Sequence, residues 1–355
     1  MVAWHASGMN WTSPLRPRRP PLNLALQGGG AHGAFTWGVL DALLEAERFE
    51  IAGISGTSAG AINGVLLAHG LVQGGPPAAR AALEQFWSAV GAKVPFEWLT
   101  VGEDDTLGFN PLARLMMRLA KLFAPHELNP LGHNPLRELL NEHVDFAALR
   151  GDAAPRLAIA ATHVDSGRLR IFDNAAMDID AVLASTCLPT LHHTVVVDGE
   201  AYWDGGYSAN PALMPLLAEP RCAHDTLVVL LTPRHYAQAP HSAAEIAERA
   251  MDIAFQAPFL RELELLDTLQ AQARERWWPR LGQDRRMANA RWHLVDGAPT
   301  LATLRGETRL IAHLPFLQRL RDAGRLAAQA WLADAADHVG TRGGVTLRGL
   351  AEGQG

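Results

Sequence analysis

Cysteine is nearly absent from this chain: Cys187 and Cys222 are the only two in 355 residues. A disulfide framework is therefore not expected, and a thiolate zinc cluster has too few ligands. Long apolar runs are missing as well. No stretch reaches the roughly 18 uncharged apolar residues that a membrane-spanning helix needs. The opening segment MVAWHASGMNWTSPLRPRRPP lacks the apolar centre of a secretory signal. There is no excess of basic charge either, since the formal net charge is -6. Nucleic acid is accordingly not an expected partner. These absences together point to a cytoplasmic protein, with peripheral membrane contact left open by the arginines at 16, 18 and 19. No metal-ligand spacing stands out, and no cofactor is expected.

What is present is an ordinary globular composition, 48% hydrophobic and 19% charged. Its organising stretch is GISGTSAG, whose centre Gly56-Thr57-Ser58-Ala59-Gly60 fits the G-x-S-x-G nucleophile elbow. The apolar run Ile51 to Ile54 leads into it, and the helix-compatible Ala61 to Leu71 follows. Strand, tight turn and helix is the context the motif requires. Upstream, the strand-like Leu22 to Leu26 runs into Gly28-Gly29-Gly30-Ala31-His32-Gly33, and Ala34 to Leu44 reads as a helix. Such a loop can aim backbone N–H groups at negative charge. It also satisfies G-x-G-x-x-G, so a dinucleotide site with Glu47 or Glu50 on the ribose is a rival reading. The elbow immediately downstream favours an oxyanion loop instead.

After a break at Gly74 to Pro77, Ala78 to Val90 reads as a helix and Pro95 to Gly108 as a loop. Leu112, Leu115, Met116, Leu119, Leu122 and Phe123 then form a helical apolar stripe beside Arg114, Arg118 and Lys121. The first reading is core packing beneath a basic rim; a cap over an acyl pocket or a lipid-surface contact is the alternative. Asn134, or the residue before it, is expected to cap a further helix from Pro135 to Asn141. Strands are expected at Pro155 to His163 and Arg168 to Phe172, with a helix over Asp178 to Thr186. A hairpin turning at Asp198-Gly199 follows and ends in Asp204-Gly205-Gly206. Thr226 to Thr232 reads as a buried parallel strand. Beyond it come a long helix at His241 to Arg276 stopped by Trp277-Trp278-Pro279, a strand at Trp292 to Val295, and a helix at Phe316 to Asp337.

Three ordered blocks, Gly28 to Gly33, Gly56 to Gly60 and Asp204 to Gly206, together resemble the bacterial branch of the patatin-like phospholipase family. The resemblance spans about residues 22 to 235. It implies a three-layer α/β/α fold with a mainly parallel central sheet, and hydrolysis of lipid acyl esters by a Ser–Asp dyad. Ser58 would attack and Asp204 would activate it. The backbone of Gly28, Gly29, Gly30 and Ala31 would hold the oxyanion, while His32 and Gly33 shape the loop and Gly56 and Gly60 the elbow. One departure is His32, where the family usually carries Arg; an arginine is a permanent multi-donor cation and a histidine is often neutral. The expected organisation is a flexible basic arm at 1–21, a catalytic core at 22–235 with a cap-like helical segment at 109–150, a mostly helical part at 236–340, and a loose tail at 341–355. The partner is a lipid or small ester; the oligomeric state is left open. A Ser–Asp–His triad drawing on His235 or His293 would make a general carboxylesterase, and loss of turnover would leave a lipid-binding or interaction protein.

Overall fold

The computed structural model describes residues 19–93, 96–236, 239–275 and 281–353. Most of the expected arm and the Trp277-Trp278-Pro279 stop lie outside the described residues. The chain opens with Pro21–Leu26 (β1), Gly33–Ala46 (α1), Glu50–Thr57 (β2) and Ala59–Lys93 (α2). Pro111–Ala120 (α3) and Pro135–His143 (α4) precede Arg156–His163 (β3) and Leu169–Phe172 (β4). Ile179–Ser185 (α5), Val195–Val197 (β5), Glu200–Asp204 (β6), Met214–Ala218 (α6) and Asp225–Leu230 (β7) come next. Ala243–Glu275 (α7), Arg291–Asp296 (β8), Leu314–Asp334 (α8) and Leu347–Glu352 (α9) complete the main elements.

One sheet carries the order β8-β7-β1-β2-β3-β6-β5, with β4 also on β3. The run from β8 to β3 is parallel, and β4, β5 and β6 are antiparallel additions. Successive strand side chains point to opposite faces, and the two cores divide along that alternation. Leu24, Leu26, Leu227 and Val229 pack with α1, α2 and α8 on one face. Ala25, Val228 and Leu230 pack on the other with Leu213, Leu216, Phe259, Leu263, Leu347 and Leu350. The fold is the expected three-layer α/β/α sandwich with a mainly parallel sheet.

The two helices α1 and α8 interlock through glycines. A Cβ at Gly38 would strike the Arg321 carbonyl, and one at Gly324 would strike that of Phe35. The break expected at Gly74 to Pro77 is a kink within α2, with Gly75 at φ 72°. In the segment expected as a plain loop, Thr100–Val101 pairs antiparallel with Gly108–Phe109. The expected loose tail is instead partly ordered. Val345 bridges Trp292, and the α9 residues Leu347 and Leu350 are buried against α7 and β7.

The apolar stripe also departs from its first reading. Leu112, Leu115, Met116, Leu119 and Phe123 are all more than half exposed, while the inward side of α3 is made by Ala113 and Met117. A leucine at helical spacing announces an apolar face, but spacing cannot say which way a helix with two such faces turns.

Candidate active site

Ser58 stands at the junction of β2 and α2 with φ at 54°. That left-handed conformation costs a non-glycine residue on the order of 1–3 kcal/mol, so the surroundings must impose it. They do so through close packing. Gly60 lies so near the Leu26 carbonyl that no side chain fits, and a Cβ at Gly56 would fall 2.5 Å from the Gly60 carbonyl oxygen. The Ser58 carbonyl accepts from the N–H groups of Ala61 at 2.9 Å and Ile62 at 3.2 Å, opening α2. Its own N–H donates to the buried Ser185 Oγ, 3.0 Å away at the end of α5. Thr57 Oγ1 donates to the Ala209 carbonyl at 2.9 Å.

Strand pairing brings Asp204 to the same place. Along one edge of β3, β2 runs to the pair Thr57–Ala160 and stops. The opposite edge is occupied by β4 over Ile159 to Thr162. Antiparallel β6 takes up the edge that β2 has left, with Asp204 opposite Ala161. The C-terminal ends of β2 and β6 therefore abut, and the serine and the carboxylate emerge from neighbouring positions.

Asp204 is fully buried. Phe255 of α7 presses so closely on Gly206 that a Cβ there would overlap its ring, which closes the turn from solvent. Oδ1 accepts the Gly206 N–H at 2.8 Å, and Oδ2 is buried with no hydrogen bond closed. Burial pushes the carboxyl from 3.8 up to about 7; the Gly206 N–H and the nearby Ser58 hydroxyl pull in the opposite direction. The group thus titrates near neutrality.

The glycine loop packs directly on the elbow. A Cβ at Gly28 would sit 2.7 Å from the Thr57 carbonyl oxygen and 2.8 Å from Ser58 Cβ, and one at Gly33 would lie 2.7 Å from Ala59 Cβ. The Gly28 N–H donates to Asn210 Oδ1 at 2.7 Å, so that donor is engaged within the protein. The N–H groups of Gly29, Gly30 and Ala31 find no acceptor among the described residues. Gly30 has φ at 58°, and its Cα faces the Arg309 carbonyl at a distance no Cβ would tolerate.

His32 turns away from the serine and into the C-terminal part of the chain. Its Nε2 lies 2.7 Å from Thr308 Oγ1. The Thr308 hydroxyl spends its single proton on the Arg305 carbonyl at 2.6 Å, so it must accept from His32 Nε2–H. Burial first, and the Arg309 charge second, push His32 down to about 3, which keeps it neutral. Arg309 is itself ion-paired with Asp252 of α7, which also accepts the Tyr236 hydroxyl at 2.6 Å.

Neither histidine of the triad reading is hydrogen-bonded to Ser58 or Asp204. The His235 ring meets the Glu352 carbonyl, and the buried His293 meets Asp225 Oδ1 at 2.9 Å near the opposite, N-terminal end of the parallel strands. Glu47, one ribose candidate, pairs with Arg19. Among the described residues, His163, Asp165 and Glu200 have ligand atoms within 4.8 Å of one another. The His163 Nε2–Glu200 Oε2 hydrogen bond of 2.6 Å already couples two of them.

Several residues that shape the site carry no motif. Asn210 fixes Gly28, and Ser185 receives the Ser58 N–H. Asn63 donates to the Gly33 carbonyl at 2.9 Å while accepting Trp87 Nε1–H at 2.9 Å. Gln27 accepts the N–H groups of Leu231 at 2.6 Å and Thr232 at 2.9 Å, tying the loop to the end of β7. The signal available was only the proximity of Asn210 to the Asp204 turn and of Gln27 to the glycine run.

The family described as patatin-like phospholipase matches residues 24–217, more than half of the chain. Among solved structures, the chain is similar to VipD from Legionella pneumophila at 14% identity, covering 87% of this chain and 67% of that one, with a TM-score of 0.36. It is also similar to the heterodimeric ExoU-SpcU complex from the type III secretion system of Pseudomonas aeruginosa at 17% identity, covering 90% and 70%, with a TM-score of 0.30. No curated protein matches.

Proposed function

The chain belongs to the patatin-like phospholipase family, and we propose that it hydrolyses lipid acyl esters with Ser58 as nucleophile and Asp204 as its base. The observation that carries this reading is the abutment of β2 and β6 on one edge of β3, which sets a strained serine beside a fully buried carboxylate. Serine is a weak nucleophile unless a neighbouring base takes its proton. Asp204 in its carboxylate form takes the Ser58 Oγ proton as Oγ bonds to the ester carbonyl carbon. The carbonyl electron pair moves onto oxygen, which the N–H groups of Gly29, Gly30 and Ala31 receive. Each such donor is worth about 3 kcal/mol at the transition state. Collapse of the intermediate breaks the ester C–O bond, and the leaving alcohol takes the proton back from Asp204. Water then repeats the cycle on the acyl-enzyme, again giving its proton to Asp204, and frees the fatty acid and Ser58.

Gly28 supports the loop here rather than the oxyanion, because its N–H is held by Asn210. A base with no histidine is favoured over the triad, since the two candidate histidines are hydrogen-bonded elsewhere.

The test is a panel of phospholipid, lysophospholipid and neutral ester offered to the natural protein and to Ser58→Ala. Hydrolysis by the first alone is expected, with a fluorophosphonate attached to Ser58. Equal turnover by the folded Ser58→Ala protein would end the proposal. The panel also separates phospholipase from general esterase.

A further inference from the structure

We propose that α3 and the turn after it form a docking surface for an anionic lipid bilayer. On a helical wheel Leu112, Leu115, Met116 and Leu119 of α3 fall within an arc of about 100°, and Phe123 follows in the turn after the helix. Their exposures are 66, 52, 60, 51 and 52%. Trp98, 82% exposed, stands beside the start of the helix, where Asn110 Nδ2 donates to its carbonyl at 2.8 Å. Soluble proteins seldom leave so many large apolar side chains contiguous and uncovered. The opposite side of α3 already packs inward through Ala113 and Met117, so the outward arc is surplus to the fold.

Charge selects the occupant. Arg118 is exposed next to the arc and Lys121 is exposed at the C-terminal end of α3; neither forms an ion pair with a described residue, although the whole chain carries a formal charge of -6. Apolar side chains flanked by unpaired cations match a layer of acyl chains beneath anionic headgroups. A second copy of the chain fits less well. A two-fold interface brings the same patch of both copies together, and with it their Arg118 and Lys121 side chains.

The surface is also joined to the loop over the elbow. Arg114 of α3 holds Glu307 with hydrogen bonds of 2.6 and 3.1 Å, and Glu307 adjoins Thr308, the partner of His32. The docked face would thus present lipid near the site, a choice of substrate that rests on the acyl-hydrolase reading above.

Vesicle co-sedimentation of full-length Ser58→Ala protein tests the surface without any turnover. The probes are phosphatidylcholine vesicles with and without phosphatidylserine. Binding is expected with phosphatidylserine and should weaken at least about fivefold without it. Leu115→Ser/Leu119→Ser should lose about a hundredfold in vesicle partition, roughly tenfold for each buried leucine. Arg118→Glu/Lys121→Glu should lose the preference for phosphatidylserine. Both pairs alter exposed positions, and an unchanged circular dichroism melt verifies folding. The proposal is overturned if the leucine pair binds as well as its parent, or if the parent binds neither vesicle. It is also overturned if sedimentation velocity shows a dimer that the leucine pair abolishes. Failure of the hydrolase reading looks different: the natural protein would sediment with vesicles and cleave no ester.

Discussion

Replacing Asp204 by Asn should stabilise the protein while removing its activity. The carboxyl has no exposed surface, and burial raises its pKa from 3.8 to about 7. A raised carboxyl pKa means that the folded state binds the proton more tightly than the unfolded state does. Between these two values the unfolded chain loses its proton first, so stability falls as pH rises and stays depressed above the folded pKa. Each unit is about 1.4 kcal/mol. The cost is therefore about 4 kcal/mol near pH 8 and about 1–2 kcal/mol near pH 5.

Asparagine keeps an oxygen for the Gly206 N–H and sets an NH₂ group where the unpartnered Oδ2 stands, beside the Ser58 hydroxyl. It carries no charge to desolvate. Urea melts of the two proteins near pH 5 and pH 8 should show a stability gap that widens by about 2–3 kcal/mol at the higher pH. Every other titrating group is common to both proteins and cancels in the difference. A gap that stays constant with pH would refute the argument, because the raised pKa would then not exist. The same variant should lose about a thousandfold or more in kcat as the general base disappears.

Three other outcomes follow from the site. The kcat/KM of the natural protein should rise about tenfold per pH unit below an inflection near 7 and level off above it, as Asp204 becomes a carboxylate; a pH–rate profile on a soluble ester reads this. His235→Ala should leave that profile in place, and its disappearance would return weight to the triad. Thr308→Val should leave the buried His32 Nε2–H without an acceptor, at a cost of about 1–3 kcal/mol in a urea melt. It should lower kcat more than it raises KM, because the loop donors that act at the transition state shift; an unchanged kcat would show that the loop does not depend on this clamp.

The strands and helices of the sandwich were largely legible because their signals are local. Buried runs such as Thr226 to Thr232, the turn at Asp198-Gly199 and the break at Gly74-Gly75 all declare themselves within a few residues. The direction of α3 was not legible, since an apolar arc has the same periodicity whether it faces a core or solvent. Nor was the end of the chain, where Leu347 and Leu350 are two short-range leucines in a glycine-rich segment and find their partners on α7 and β7. At the candidate site, the glycine loop, elbow and Asp204 could be named from motifs. Their supports could not, because Asn210, Ser185 and Thr308 act across 182, 127 and 276 residues of sequence.

Those distant supports also give a physical account of His32. In this chain the position is 3% exposed, and the Arg309 cation already depresses its pKa. A second permanent cation here would be desolvated against a like charge, with only the Thr308 hydroxyl to receive it. A neutral imidazole needs one acceptor, which Thr308 supplies. The fixed positive charge beside the loop comes from Arg309 instead, and its ion pair with Asp252 anchors it to α7, the helix that also covers Asp204. The loop and the carboxylate are consequently braced by the same C-terminal layer, although the motifs that reveal them end at residue 206.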